Sequence, residues 1–113
     1  MYGLPLNFDG SFLLGRTLEA VCFSEYQIIL YFDEELLITI ESSFSLHNDE
    51  VVSVPVQNSN LMKLVGISVS EILSEKNGTL HLTFCSGDRL KLYDTSTQYE
   101  SYRITYKGKD IIV

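Results

Sequence analysis

The stretch GTLHLTFCSGDRLKLYD, residues 78 to 94, shows most clearly which fold the chain adopts. Leu80, Leu82 and Phe84 alternate with other residues, and a Ser-Gly-Asp turn separates them from Leu90 and Leu92. Successive side chains of a β-strand point to opposite faces of the sheet. The stretch therefore predicts an antiparallel hairpin with one apolar face, in which the glycine supplies the positive φ that the turn needs.

The stretch YQIILYFDEELLITIE, residues 26 to 41, arranges its apolar residues in nearly the same way. When Gly15 is aligned with Gly66, the apolar residues around each glycine also match, and one extra residue in the second copy brings Phe32 onto Phe84. This self-similarity predicts an internal repeat. The two units span approximately residues 11–42 and 62–94, and the glutamates at 34 and 35 stand where the second turn has its glycine, so the first turn must differ or be strained.

Each unit is predicted to contain three strands. Those of the first are Thr17–Phe23, Tyr26–Phe32 and Leu36–Glu41, and those of the second are Ile67–Ser74, Thr79–Cys85 and Arg89–Tyr93. Further strands are predicted at Val51–Val56, Glu100–Tyr106 and Asp110–Val113, with one short helix at Asn58–Val65. The chain has no low-complexity linker, so we expect a single domain over residues 1–113. The predicted fold is all-β, with at most one short helix: an antiparallel sandwich or partly open barrel of about seven to nine strands.

The outward-facing residues of the two units differ in polarity. In the second unit they are polar or charged, with His81, Thr83 and Lys91 among them. In the first unit they include Ile29, Tyr31 and Leu37, so that unit is apolar on both faces. Such a face is covered by another segment of the chain, by a second copy or by a different partner.

Negative charge is concentrated in the first half of the chain. Residues 1–56 contain nine acids and one base, a net charge of −8, whereas residues 57–113 contain six acids and seven bases, a net of +1. Nucleic-acid binding needs clustered Lys and Arg, and no such cluster is present. An acidic face suits a basic protein partner, although it also serves solubility alone.

The remaining features predict a cytoplasmic protein without a cofactor or metal. The opening MYGLPLNFDG lacks the basic and apolar regions of a signal peptide, and no apolar run reaches the roughly 18 residues of a membrane span. Cys22 and Cys85 form no metal-binding motif, and we expect them to be buried or half-buried thiols.

No motif of a known catalytic class occurs, so we expect no enzymatic activity. The polar segment His47–Glu50 is predicted to be a solvated turn. His81 is predicted to pair with a cross-strand neighbour such as Lys91 or Tyr93. Glu100 should lie at the margin of the core and need a partner there, because an unpaired buried carboxylate is costly.

The second half of the chain resembles a family of small bacterial domains of unknown function. The resemblance lies in the leucine-rich stretch Leu61–Gly66, the hairpin GTLHLTF with GDRLKL, and Tyr99-Glu100-Ser101-Tyr102, where the family usually has Tyr-Glu-Ala-Trp. Proteins similar to these are often small, acidic and solitary, like the immunity proteins that neutralise bacterial toxins. The resemblance implies neither an enzymatic activity nor a cofactor.

These observations together favour a protein-interaction domain, an immunity protein that binds a basic toxin through an acidic face. The predicted contact residues are Tyr31, Glu34, Glu35, Glu41, Asp49 and Glu50. Two alternatives stay open at this point: a small-ligand-binding β-barrel, and a homodimer formed through the apolar face of the first unit.

Overall fold

The computed structural model describes residues 8–33, 35–46, 52–53, 60–94 and 101–113. These residues form ten β-strands and two short 3₁₀ helices, at Ser11–Leu13 and Asn60–Leu64, and they contain no α-helix. The strands are β1 (Leu18–Phe23), β2 (Ile28–Phe32), β3 (Leu36–Ile40), β4 (Ser43–Leu46), β5 (Val52–Ser53), β6 (Val69–Ser74), β7 (Leu80–Phe84), β8 (Arg89–Leu92), β9 (Tyr102–Tyr106) and β10 (Lys109–Ile112). Neither helix is long or apolar enough to cross a membrane.

The strands form two five-stranded sheets in which every neighbouring pair is antiparallel. The first sheet has the order β1-β2-β3-β9-β10, and the second has the order β5-β4-β8-β7-β6. Each sheet therefore combines three consecutive strands from one unit with two strands from the other half of the chain. The predicted all-β antiparallel fold with two similar three-stranded units is confirmed, and its ten described strands are one more than the upper limit of the predicted seven to nine.

The first strands of the two units share an irregularity. In β1 the register with β2 shifts between Leu18 and Ala20, and in β6 the register with β7 shifts between Val69 and Glu71. Such a shift marks a β-bulge, which bends the strand and increases its twist. The matching bulges turn β1 and β6 toward each other at one corner of the sandwich.

The core between the sheets is built from the inward residues of both units. Phe32 is 5% exposed and Phe84 is 1% exposed, so the prediction that both are buried is confirmed. Leu30, Ile38 and Leu82 are fully buried beside them. Each such side chain contributes roughly 1.5–3 kcal/mol through burial, which makes this core the main source of stability.

The sequence did not predict β4, whose residues read Ser-Phe-Ser-Leu. All four are buried, because β4 lies inside the second sheet between β5 and β8. The hydroxyls of Ser45 and Tyr93 lie 2.8 Å apart, so a polar residue is tolerated there. The strand predicted at Val51–Val56 is described only at Val52–Ser53, and the rest of it lies outside the described residues.

The prediction that the two cysteines are buried or half-buried is wrong, because both are exposed. Cys22 lies opposite Ile29 in the β1–β2 ladder and points away from the core at the edge of the first sheet. Cys85 directly follows the end of β7, where the hairpin turn begins.

Candidate functional site

The outward surface of the first sheet is the candidate interaction site. Tyr31 on β2 lies opposite Leu37 on β3, and both point outward because their neighbours Leu30 and Ile38 are buried in the core. Tyr31 is 40% exposed. We call this surface the outer face; it consists of Ala20, Cys22, Ile29, Tyr31, Leu37, Thr39, Arg103, Thr105, Asp110 and Ile112.

The corresponding surface of the second sheet is more polar. Thr83, His81 and Lys91 occupy its centre, and the exposed Glu71 and Arg89 lie on either side of Thr83. The contrast predicted between the two units is therefore present in the structure. Apart from Leu73, which lies opposite His81 on the edge strand β6 and is 61% exposed, the described outward apolar residues lie on the first sheet, as expected when that side meets a partner.

The described members of the predicted contact set lie at the two ends of the β2–β3 hairpin. Tyr31 is near one end and the exposed Glu35 is in the turn there. The half-buried Glu41 follows the other end of β3, about 20 Å from Glu35 at the usual rise per residue. Glu34, Asp49 and Glu50 lie outside the described residues, as does the whole segment His47–Glu50.

Two exposed acids that the sequence did not single out lie on the same part of the sheet. Glu19 is the extra residue of the bulge in β1, and Glu25 is in the turn between β1 and β2. The bulge could not be recognised from the sequence, because Glu19 stands in an ordinary alternating pattern there. Together with Glu35, these residues give the β1–β3 part of the sheet an acidic border.

The turn that carries Glu35 is strained, as its sequence predicted. Glu35 has a φ of 62°, in the left-handed region, and the corresponding Gly87 of the second unit has a φ of 91°. The N–H of Lys107 donates to the carbonyl oxygen of Glu35 at 3.3 Å, so the β9–β10 turn lies beside the β2–β3 turn. This contact holds Glu35 in place in spite of the cost of its conformation, about 1–2 kcal/mol.

Arg16, the base among residues 1–56, is occupied within the fold. Its Nε donates to the carbonyl oxygen of Phe12 at 2.8 Å, and Nη2 donates to the hydroxyl of Tyr106 at 2.9 Å. Its Nη1 lies 3.9 Å from Oδ1 of Asp33. These contacts direct the guanidinium toward Phe12, Tyr106 and Asp33 within the fold.

The Ser101-Tyr102 part of the signature stabilises the fold. The buried hydroxyl of Tyr102 donates to the carbonyl oxygen of Gly78 at 2.7 Å, and burial, together with the charge of Asp94, raises the pKa of Tyr102. A Cβ at Gly78 would lie 2.5 Å from Oδ2 of Asp94, so a larger residue does not fit there. The hydroxyl of Ser101 donates to Asp94 at 3.1 Å. Glu100, predicted to be clamped nearby, lies outside the described residues.

His81 pairs with a cross-strand neighbour, as predicted, but the partner is Glu75 and not Lys91 or Tyr93. Lys91 lies opposite His81 in the ladder, but Nε2 of His81 is 2.5 Å from Oε2 of Glu75, just beyond the end of β6. The carboxylate is the stronger partner for an imidazole, and the hairpin turn brings it within reach. Among the described residues, no group of three or more His, Cys, Asp or Glu side chains could hold a metal ion.

A shallow groove of about 340 Å³ lies between the chain before β1 and the end of β6. Its lining includes Phe8, Leu14 and Ile72, together with Leu73, which is 61% exposed. A Cβ at Gly10 would lie 2.8 Å from Cγ2 of Ile72, so the two walls are in close contact at the base. The sequence did not predict this groove, because its walls come from distant parts of the chain.

Comparison with known proteins identifies a matching family model. No curated protein and no solved structure matches the chain. The model of a family of unknown function (DUF6188) matches residues 11–113, which include every strand described above. The chain therefore belongs to this family of unknown function, DUF6188.

Proposed function

We propose that the protein is a non-enzymatic interaction domain that binds a basic protein partner through the outer face of the first sheet. In its most specific form, the partner is a bacterial toxin and this protein is the cytoplasmic immunity protein that neutralises it. The observation that carries the proposal is the apolar pair Tyr31 and Leu37, which points outward from a sheet whose acidic residues are exposed.

The apolar part of the outer face supplies the hydrophobic contact with the partner. Tyr31 is exposed between Ala20 on β1 and Leu37 on β3, and the half-buried Ile29 lies on the same face farther along β2. Aromatic residues with an apolar body and a polar tip are enriched at the centres of protein interfaces. Tyr31 is therefore the residue that we expect to contribute most to binding on this side of the complex.

The charges around Tyr31 favour a basic partner. Glu19, Glu25 and Glu35 are exposed along the β1–β3 part of the sheet, and Arg16 is engaged within the fold. The bases Lys107 and Lys109 lie at the β9–β10 turn. A basic partner would therefore be steered toward the β1 side of the outer face, which orients it as well as attracting it.

A photo-crosslinking residue at position 31 tests the proposal in the native host. Tyr31→p-benzoylphenylalanine should give a covalent adduct with a basic protein, identified by mass spectrometry. The matched control, Thr83→p-benzoylphenylalanine, places the same group on the outward surface of the second sheet and should not capture that protein. Adducts only between copies of this chain, or identical adducts from both positions, would contradict the proposal.

The neutralising role has its own test with the captured partner. Expression of the partner alone should arrest growth of the host, and co-expression of this protein should restore it. Tyr31→Ala should weaken the rescue, whereas Tyr26→Ala, which removes an exposed tyrosine in the β1–β2 turn, should not. A partner without toxicity would contradict the immunity role and leave the interaction domain in place.

A further inference from the structure

Among the residues that the structure describes, the end of β6 has an open edge. The N–H of Glu75 donates to the carbonyl oxygen of Thr79 at 2.8 Å, which makes these residues a hydrogen-bonded pair. Bonded and non-bonded pairs alternate along an antiparallel ladder. The backbone groups of Ile72 and Ser74 therefore point away from β7, toward the side on which the groove lies.

The same edge is already paired farther back along β6. The carbonyl oxygen of Val69 accepts from the N–H of Gly15 at 2.8 Å, and the N–H of Val69 donates to the carbonyl oxygen of Arg16 at 2.9 Å. Within the described parts of the chain, no backbone bond reaches the outward groups of Ile72 and Ser74. An unpaired strand edge of this kind is a template for another strand.

We propose that the open edge of β6 binds an extended segment of a partner protein as an additional strand, and that this segment alternates apolar with basic residues. Main-chain hydrogen bonds to Ile72 and Ser74 would hold the segment, and its side chains would set the specificity. This site is on the second sheet, so it is independent of the outer face of the first sheet.

The apolar half of the pattern follows from the groove. Ile72 is partly buried and packs against the core, so the inward side chains of an added strand would lie over it. Phe8 and the exposed Leu14 line the groove beside Ile72. Apolar residues at alternate positions of the segment would fill this space and remove these side chains from water.

The basic half follows from the outward residues at the end of β6. The exposed Glu71 and Glu75 lie on either side of Leu73, on the face that a neighbouring strand would share, and Glu75 also contacts Nε2 of His81. Opposite charges directly across two strands stabilise their pairing. The exposed Asp9 lines the groove and adds a third carboxylate, whose pKa is lowered by hydrogen bonds from Ser11.

The test uses a seven-residue peptide in which valine alternates with lysine, titrated into ¹⁵N-labelled protein. The amide signals of Ile72 and Ser74 should shift, together with those of Leu14 and Ser11 on the opposite wall, while those of Tyr31 and Leu37 should not. Two control peptides, one with glutamate for lysine and one with a central proline, should produce no such shifts. Absence of shifts along β6, or equal shifts with the control peptides, would overturn the proposal.

Two variants distinguish strand pairing at the edge of β6 from non-specific binding of the peptide. Ser74→Pro removes an N–H that makes no bond within the described fold, and it should raise the Kd of the valine–lysine peptide at least about tenfold. Glu71→Lys, which leaves the backbone intact, should raise the Kd severalfold at low salt. Tyr31→Ala should bind the peptide with an unchanged Kd, because Tyr31 lies on the first sheet. This expectation holds whether or not the outer face has a partner. Two results would overturn the proposal. One is an unchanged Kd of the peptide for both β6 variants, and the other is a dimer of the unsubstituted protein that Ser74→Pro abolishes.

Discussion

The hydroxyls of Thr17 and Ser68 lie 2.9 Å apart where the two sheets meet, and the two residues form an isolated antiparallel bridge. Reciprocal backbone bonds flank them: the N–H of Gly66 donates to the carbonyl oxygen of Leu18 at 2.7 Å, just as that of Gly15 donates to Val69 at 2.8 Å. This symmetry ties the first strands of the two units together. The junction should therefore behave as one energetic unit.

A double-mutant cycle tests the junction. Thr17→Val and Ser68→Ala should each lower the free energy of unfolding by about 1 kcal/mol, because each leaves the other hydroxyl without its partner. The double variant should lose no more than about the larger single loss, giving a coupling of about 0.5–1.5 kcal/mol. Urea denaturation measures all four proteins. Strictly additive losses would show that the two hydroxyls do not interact.

The two buried phenylalanines should be equivalent in energy as well as in position. Phe32→Ala and Phe84→Ala should each cost about 3–5 kcal/mol, since truncating a buried phenylalanine loses its packing and leaves a cavity. Tyr26→Ala, at a side chain that is 73% exposed, serves as the control and should change stability little. A loss below about 1 kcal/mol for either phenylalanine would remove that residue from the core.

The hydrogen bond from Tyr102 to Gly78 should contribute to stability in addition to the packing of the ring. Tyr102→Phe keeps the ring and leaves the buried Gly78 carbonyl unpaired, so it should cost about 1–3 kcal/mol. Tyr26→Phe is the matched control and should cost nearly nothing. Chemical denaturation near neutral pH gives both values, and equal stability of the two variants would contradict the role of the bond.

The same tyrosine should make the protein sensitive to alkali. Burial raises the pKa of Tyr102 in the folded state above its ordinary value of 10.0, so above that pH the unfolded chain releases a proton that the folded chain retains. The contribution of Tyr102 is complete below pH 10 and declines as the pH rises above it. Between pH 8 and pH 10.5, the free energy of unfolding should therefore decrease less in Tyr102→Phe than in the unsubstituted protein. An equal decrease in both proteins would contradict this linkage.

The left-handed backbone of Glu35 predicts a stabilising substitution. Glu35→Gly relieves a strain of about 1–2 kcal/mol, against roughly 0.5–1 kcal/mol of additional chain entropy in the unfolded state. Glu35→Ala removes the same carboxylate but keeps the strain, so it is the matched control. Thermal and urea unfolding should show that the glycine variant is more stable than the alanine variant by about 0.5–1 kcal/mol. A glycine variant no more stable than the alanine variant would show that the turn is unstrained.

Much of the fold followed from local patterns. The alternation in β2 and β7 identified both strands to within two residues at each end, because side-chain direction in a strand depends only on neighbouring positions. The strand β4 was missed because Ser43 and Ser45 are buried only when β8 and Tyr93 lie beside them. Such pairing depends on residues far away in the chain.

The candidate site could be predicted in part for the same reason. Tyr31 and Leu37 were identified as outward-facing from their position next to core residues. Of the predicted acids, Glu35 and Glu41 lie at opposite ends of β3, and Glu34, Asp49 and Glu50 lie outside the described residues. The groove beside β6 was missed because Leu14 and Leu73 come together only in the folded chain.

The partner identified by crosslinking, purified in free form, allows association kinetics to be measured. These kinetics test whether the acidic border of the outer face steers binding. Glu19→Lys and Glu35→Lys should change stability little, because isolated exposed charges contribute under about 1 kcal/mol. Both should slow association, and more strongly at 20 mM than at 200 mM salt, because electrostatic steering is screened over about 10 Å at 0.1 M. The matched control is Thr83→Lys, which adds positive charge at the centre of the outward surface of the second sheet. An unchanged rate for the control and slower rates for the other two variants are expected; equal rates for all three, at both salt concentrations, would contradict binding at the outer face.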